Sequence, residues 1–170
     1  MGKVSVKEDK SIYQLTREEL GLSREKASEM LNGISPERIE RIENGKCSIQ
    51  PEEVLYMSRA YKKPNLCNVY CSNECPIGKE YVPEVNVKDL SQIVLEMIAS
   101  LNSMQKKQER LIEITADGVI DEDEIKDFVH IQKELERISI TVETLQIWSE
   151  QMKANNSINM EIYDKYMKNN

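Results

Sequence analysis

The first third of the chain carries hydrophobic residues at helical spacing, interrupted by residues that begin or end helices. Ile12, Leu15 and Leu20 fall on one rough helical face, and Gly21 ends that segment. Similar short segments follow as far as residue 63, each bounded by serine, glycine or proline. The pattern therefore predicts four or five short helices in this part of the chain.

Serine and proline mark the starts of the later helices. Ser23 and Ser35 are typical N-caps, because a serine hydroxyl accepts a hydrogen bond from a backbone N–H in the first turn. Pro36 follows at a first helical position, where a missing N–H costs nothing. Pro51 opens a fourth helix, which we expect to stop before Pro64. The inner faces predicted for the third and fourth helices consist of Ile39, Ile42, Val54, Leu55, Met57, Ser58 and Tyr61.

A regular pattern returns between residues 88 and 154, where apolar positions alternate at spacings of three and four, as in helices that pack along a heptad seam. The turn around Asp117 and Gly118 is short, so we expect an antiparallel helical hairpin. One hairpin would expose much of its seams, which favours a coiled-coil homodimer. The predicted seams are Leu90, Val94, Met97, Leu101, Met104, Gln108 and Leu111, and Phe128, Ile131, Leu135, Ile138, Val142, Leu145 and Met152.

Two further segments lack this regularity. Residues 64–87 contain three cysteines and three prolines, and are interpreted as an irregular connector with at most one helical turn. Residues 155–170 are interpreted as a polar tail. The chain is thus predicted to be all-α, with an N-terminal domain at 1–63, a connector at 64–87 and a hairpin at 88–154.

Composition narrows the function. Charged residues make up 31% of the chain, against 6 glycines and 5 prolines, a balance typical of helical proteins. A single histidine and the absence of a catalytic grouping argue against an enzyme. No apolar run reaches about 18 residues and the N-terminus has no apolar signal core, so we expect a cytoplasmic protein that does not span a membrane.

The charge is unevenly distributed. Residues 1–64 contain 12 Lys and Arg against 11 Asp and Glu, whereas residues 65–170 contain 11 against 19. The net charge of −7 therefore belongs to the C-terminal part, and the N-terminal part is free to approach a polyanion.

The stretch LTREELGLSREKASEMLNGISPERIERIENGK, residues 15–46, resembles the helix-turn-helix of Cro/CI-type repressors, often called the XRE family. The marks are Arg17 shortly before Leu-Gly-Leu-Ser, the Ile39 and Ile42 pair, and the ending Ile-Glu-Asn-Gly-Lys. The resemblance covers residues 11–64. It implies a repressor-type domain that binds double-stranded DNA, and a transcriptional regulator that reads a palindromic site as a dimer.

The resemblance also implies roles for single residues, since recognition helices of this kind place their first residues against base edges. Arg17 and Glu43 match a partly buried ion pair between the first and third helices. The matching DNA-binding positions are Arg24, Ser35, Pro36, Glu37, Arg38, Arg41, Asn44 and Lys46.

Two features depart from the family pattern. The turn holds one residue more than usual, because both Asn32 and Gly33 suit its positive-φ position. Glu37 stands where a neutral or basic residue is common, although a glutamate accepts a hydrogen bond from cytosine N4. The alternative is therefore a domain used for protein contact, with the hairpin acting as an adaptor. Lysines of an N-terminal arm would add DNA contacts: Lys3, Lys7 and Lys10.

Cys67, Cys71 and Cys75 are spaced C-x3-C-x3-C, which places three thiols along one face if the segment is helical. Three such thiolates would suit zinc or three corners of an iron–sulfur cluster. Cys47 is a poor fourth ligand, because a predicted helix separates it from Cys67. Two alternatives stay open: the cysteines are small packing residues, or two of them form a redox-responsive pair.

Overall fold

The computed structural model describes residues 10–86 and 88–168, and these residues form helices joined by turns, without a strand. The prediction of an all-α chain is confirmed. The helices are α1 (Ile12–Glu19), α2 (Arg24–Met30), α3 (Pro36–Glu43), α4 (Pro51–Ala60), α5 (Asn65–Asn73), α6 (Gly78–Tyr81), α7 (Leu90–Ile114), α8 (Ile125–Ala154) and α9 (Met160–Lys168).

The chain divides into two compact units. One contains the residues up to Val82 together with those from Glu150 onward, and the other is Pro83–Ser149. Among the described residues, no helix combines the length and the apolar character that crossing a membrane requires.

The first unit is built around one apolar cluster that α1 to α5 share. Its helices begin as the sequence predicts, since the hydroxyls of Ser23 and Ser35 accept hydrogen bonds from the backbone N–H groups of Lys26 and Arg38. The buried cluster consists of Tyr13, Ala27, Leu31, Ile34, Ile39, Ile42, Ile49, Val54, Met57, Tyr61 and Leu66.

The inner face predicted for α1 was wrong. Leu15 and Leu20 are exposed, whereas Gln14 and Arg17 are buried. The apolar spacing misleads here because the polar side chains find partners inside the fold: Gln14 donates to Glu18, and Arg17 pairs with Glu43. On α4 the predicted inner face is confirmed at Val54, Met57, Ser58 and Tyr61, whereas Leu55 is exposed.

The segment after Pro64 is not an irregular connector. It contains α5, which buries Leu66 in the first unit's core, and the single-turn helix α6. The two helices approach so closely that a Cβ on Gly78 would lie 2.1 Å from the carbonyl oxygen of Cys71. The pattern concealed α5 because Asn68, a polar residue, takes one of its buried positions.

The C-terminal residues also differ from the predicted polar tail, because α9 forms between Met160 and Lys168. Nearby, the amide of Gln151 donates to the carbonyl of Lys62 at 2.9 Å. The ammonium of Lys153 lies 4.4 Å above the centre of the Tyr163 ring, which is a cation–π contact.

The second unit is the predicted hairpin. Helix α7 starts at the N-cap Asp89, whose carboxylate accepts from the N–H of Gln92. Two ion pairs join α7 to α8: Lys107 lies 3.5 Å from Glu134, and Arg110 lies 2.8 Å from Asp127. The later residue of α7 pairs with the earlier residue of α8, so the two helices are antiparallel.

The seam between α7 and α8 agrees only in part with the predicted one. The covered face of α7 runs from Ile93 to Ile114, whereas Leu90, Val94 and Leu101 of the predicted seam are exposed. On α8 the predicted Ile131 is buried and so confirmed, whereas the predicted Leu135 and Val142 are exposed and Glu134, Thr141 and Thr144 are buried in addition. The threonines tolerate burial because their hydroxyls donate to carbonyls of their own helix, those of Arg137 and Ile140.

Candidate nucleic-acid interface

The orientation of α3 is set by the turn that precedes it. Asn32 and Gly33 both adopt positive φ angles, 46° and 100°, so the long Asn-Gly turn forms as the sequence indicates. Ile34 then enters the core, and Ser35 caps α3 with Pro36 in its first turn.

Helix α3 has one buried face and one exposed face. Ile39 and Ile42 are buried at a spacing of three, which fixes the rotation of the helix about its axis. As a result Glu37, Glu40 and Arg41 project from the exposed face. The residues nearest the helix ends are less exposed, since Pro36 and Asn44 are each partly covered.

A buried ionic cluster anchors the end of α3. Arg17 of α1 donates through Nε to Glu43 Oε1 at 2.5 Å and through Nη2 to Oε2 at 3.0 Å. Burial opposes the charge on Arg17, but the hydrogen bonds and charge of Glu43 raise its pKa above the ordinary value. Arg24 of α2 adds a third contact, from Nε to Glu43 Oε2 at 2.9 Å. One carboxylate thus ties three helices together, as the resemblance implied for Arg17 and Glu43.

Arg38 is also engaged within the protein. Its Nε and Nη2 atoms each donate to Glu53 of α4 at 2.8 Å. Its Nη1 donates to the sulfur of Cys47 and its Nη2 to the carbonyl of Ser48, both at 2.9 Å. The Arg38 hydrogen bond lowers the pKa of Glu53, so this carboxyl stays charged. The guanidinium therefore joins α3, α4 and the loop between them.

Arg41 and Lys46 differ from Arg38 in having no internal partner of this kind. Both side chains are exposed, and neither forms an ion pair within residues 10–86 and 88–168. Glu37 is exposed beside them. A hydrogen bond from the Ser35 hydroxyl, followed by one from its own backbone N–H, lowers the pKa of Glu37 and keeps it ionised. The exposed face of α3 thus presents Arg41 with the carboxylates of Glu37 and Glu40, and Lys46 follows just beyond the helix.

The helix-turn-helix family model matches residues 14–64. Residues 14–64 form a helix-turn-helix domain. The domain covers α1 to α4, with α2 and α3 as the two helices on either side of the turn. No curated protein and no solved structure matches the chain.

Of the three lysines predicted to form an N-terminal arm, the structure describes one. Lys3 and Lys7 lie outside the described residues. Lys10 is described, and its ammonium lies 2.7 Å from the carboxylate of Glu18, so it packs against the helix-turn-helix domain.

The three connector cysteines are not brought together. Cys67 and Cys71 are one turn apart on α5, whereas Cys75 lies beyond its end and accepts a hydrogen bond from the N–H of Gly78. Within the described ranges, no three His, Cys, Asp or Glu side chains are grouped to hold a metal ion. Cys67 instead packs against the core cluster of the first unit.

Sequence reasoning missed the roles of Glu53 and Cys47 as partners of Arg38. For Glu53 a local signal existed: it stands at the third position of α4 and its carboxylate accepts from the N–H of Gln50, as in a capping box. For Cys47 the chain offers no signal, because its contact depends on how the loop folds back on α3.

Proposed function

We propose that the chain is a dimeric transcriptional regulator that reads a palindromic DNA site with Pro36–Glu43. The observation that carries this proposal is that Glu37 and Arg41 on the exposed face of α3, and Lys46 just beyond its end, form no ion pair among the residues that the structure describes. The buried ionic cluster at Glu43 keeps that face rigid. A rigid helix with an exposed polar face is what major-groove recognition requires.

Each exposed side chain suits a different DNA group. The guanidinium of Arg41 is able to donate two hydrogen bonds to guanine O6 and N7, and Glu37 to accept one from cytosine N4. Lys46 follows the end of α3, where an ammonium meets the phosphate backbone. Such a combination would read a G·C-containing half-site, with the phosphate contact fixing the register.

Charge favours a dimer. A protein that neutralises few phosphates binds DNA weakly, and one copy of this domain offers two unpaired cations on its α3 side. Two copies double the contacts and suit a two-fold site. The pairing surface that we propose is the exposed apolar stripe of α7, formed by Leu90, Val94, Ile98 and Leu101.

The stripe suits a second copy of itself. Residues 90–105 contain one charged residue, Glu96, which is already bonded to Lys88 at 2.8 Å. Placed antiparallel, two such stripes would set Leu90 opposite Leu101 and Val94 opposite Ile98. Pairing would therefore bury apolar side chains without burying an unpaired charge.

Selection of bound sequences from a random DNA pool tests the proposal. We expect an enriched palindrome at low and moderate salt with the wild-type protein, and its loss with Arg41→Gln. The matched control is Arg137→Gln, on the hairpin, which should keep the enrichment. A pool that stays random at every salt concentration would contradict DNA reading by this chain.

The dimer has a separate test. Leu101→Glu places a charge in the stripe and should convert the dimer to a monomer in sedimentation experiments, whereas Val119→Glu, an exposed apolar residue of the hairpin turn, should not. A wild-type chain that sediments as a monomer at micromolar concentration would contradict pairing.

The exposed stripe also favours a second candidate, an adaptor that binds another protein through the hairpin. Neutralising Arg41 separates the two functions. It should abolish retention on DNA if the chain is a regulator, and leave partner binding unchanged if the chain is an adaptor.

A further inference from the structure

Arg38 lies in the first turn of α3, where the resemblance places DNA contacts, yet each of its three side-chain nitrogens donates inside the protein. Nε and Nη2 hold the two oxygens of Glu53, Nη1 holds the sulfur of Cys47, and Nη2 also holds the carbonyl of Ser48. The side chain of Arg38 is 27% exposed and that of Glu53 is 16% exposed, so this pair is partly screened from water. These four bonds leave the guanidinium one N–H, on Nη1, without an acceptor among the described residues, so a two-pronged contact with phosphate would have to displace an internal acceptor.

The contacts converge on the loop between α3 and α4. The first half of that loop is held by α3, because the N–H of Lys46 donates to the carbonyl of Arg41 at 2.8 Å. The second half is held by Arg38 at Ser48 and by Glu53 at the N–H of Gln50. Lys46 is itself the first anchor point, held only through its backbone N–H, and its side chain is exposed two residues before the Ser48 anchor.

We propose that Arg38 is a positioning residue, which together with Glu53 clamps the loop so that Lys46 meets a DNA phosphate without further ordering. The part of this inference that concerns DNA rests on the proposed function. The part that concerns the order of the loop can be measured without DNA. The fork of the guanidinium matters as much as its charge, because a lysine ammonium cannot hold Glu53 and the Ser48 carbonyl in one plane.

Three variants that conserve every charge test the clamp: Arg38→Lys, Glu53→Asp and the two combined. Electrostatic attraction to DNA is then unchanged, and only the geometry of the clamp differs. We expect each single variant to weaken binding about tenfold, which corresponds to ordering roughly one further residue on binding. The double variant should weaken binding by less than the product of the two single effects, because the Arg38–Glu53 pair is lost in all three variants.

A second double-mutant cycle tests whether the clamp acts on Lys46. In the wild type, Lys46→Gln should lower the slope of log K against log salt by about 0.9, the value for one phosphate contact. In the Glu53→Asp background the same substitution should change binding less, because Lys46 is no longer held in place. Arg41→Gln is the matched control and should have the same effect in both backgrounds.

Amide hydrogen exchange of the full chain provides the readout without DNA. The N–H groups of Lys46 to Ile49 should exchange faster in Arg38→Lys and Glu53→Asp, and at the wild-type rate in Arg137→Lys on the hairpin. If the wild type binds no DNA, the proposed function fails while this exchange result still decides the clamp. Unchanged exchange, or full additivity of Lys46→Gln with Glu53→Asp, would overturn it.

Direct contact of Arg38 with DNA predicts the opposite change in binding affinity. If Arg38 itself contacts phosphate and Glu53 merely restrains it, then Glu53→Asp should strengthen DNA binding. Arg38→Lys should then keep most of the affinity, because lysine also binds phosphate. That pair of results would also overturn the clamp.

Discussion

The hydroxyl of Tyr13 in α1 donates a 2.7 Å hydrogen bond to the carboxylate of Glu74, the residue that ends α5. This bond joins the start of the helix-turn-helix domain to the segment that follows it. Tyr13→Phe should therefore lower the free energy of unfolding by about 1 kcal/mol, since the hydrogen bond is lost while the ring stays in the core. Chemical denaturation followed by circular dichroism measures the change.

Tyr61 is the matched control for this substitution. The Tyr61 ring is also buried, but its hydroxyl has no hydrogen-bond partner among the described residues. Tyr61→Phe removes a hydroxyl whose desolvation is not offset, so stability should stay the same or rise. A larger loss at Tyr61 than at Tyr13 would contradict both assignments.

The same tyrosines predict how the protein responds to alkaline pH. Burial, followed by the charge of Glu43, raises the pKa of Tyr61 from 10.0 to about 12, and burial with the Glu74 bond raises that of Tyr13 further. A raised pKa means that the folded state keeps a proton which the unfolded state loses. The stabilisation is complete below pH 10 and declines as the pH rises above that value.

Denaturation at several pH values tests this dependence. The wild type should lose stability steadily above pH 10, and Tyr61→Phe should reduce the slope between about pH 10 and 12. The two proteins should show the same pH dependence between pH 7 and 9, where both tyrosines are neutral in both states. Equal slopes above pH 10 would show that Tyr61 ionises freely in the folded chain.

The buried ionic cluster predicts unequal effects for its members. Glu43→Gln removes the hydrogen-bonded carboxylate of the buried Arg17 and leaves it only Glu18, at 3.8 Å, so the domain should be destabilised by about 3 kcal/mol. Arg24→Ala leaves Glu43 paired with Arg17, and the Arg24 side chain is 31% exposed, so the loss should stay below about 1 kcal/mol. Thermal unfolding of the two variants distinguishes them, and equal losses would contradict the ranking.

The close approach of α5 and α6 predicts that Gly78 tolerates no larger side chain. Gly78→Ala places a methyl group against the backbone carbonyl of Cys71, and the shift that follows should cost about 1–3 kcal/mol. The neighbouring Lys79 is exposed, and Lys79→Ala should change stability by less than about 0.5 kcal/mol. Comparing their denaturation midpoints tests the contact.

Local signals in the sequence were sufficient for the helix-turn-helix. The serine caps at Ser23 and Ser35 and the Asn32–Gly33 turn each depend on residues within a few positions, so their chemistry can be read directly from the chain. The ion pair of Arg17 with Glu43 spans 26 positions and was expected only because the family resemblance implied it.

The sequence did not reveal two kinds of contact: polar contacts between distant residues, and contacts that depend on how a helix is rotated about its own axis. Arg38 and Glu53 are 15 positions apart, and nothing local distinguishes a guanidinium that faces DNA from one that faces α4. In the hairpin the spacing of three and four predicts helices correctly. It does not determine which of two adjoining stripes on α7 is covered, since both are apolar at that spacing.

The polar residues in the hairpin seam have a thermal consequence. The heat capacity increment of unfolding follows the apolar surface that becomes exposed. Because Leu135 and Val142 are already exposed in the folded chain, and Thr141 and Thr144 take buried places, melting one hairpin releases little new apolar surface. Calorimetry should therefore find a small increment for an isolated hairpin, and a larger one wherever a second surface covers its exposed leucines and valines.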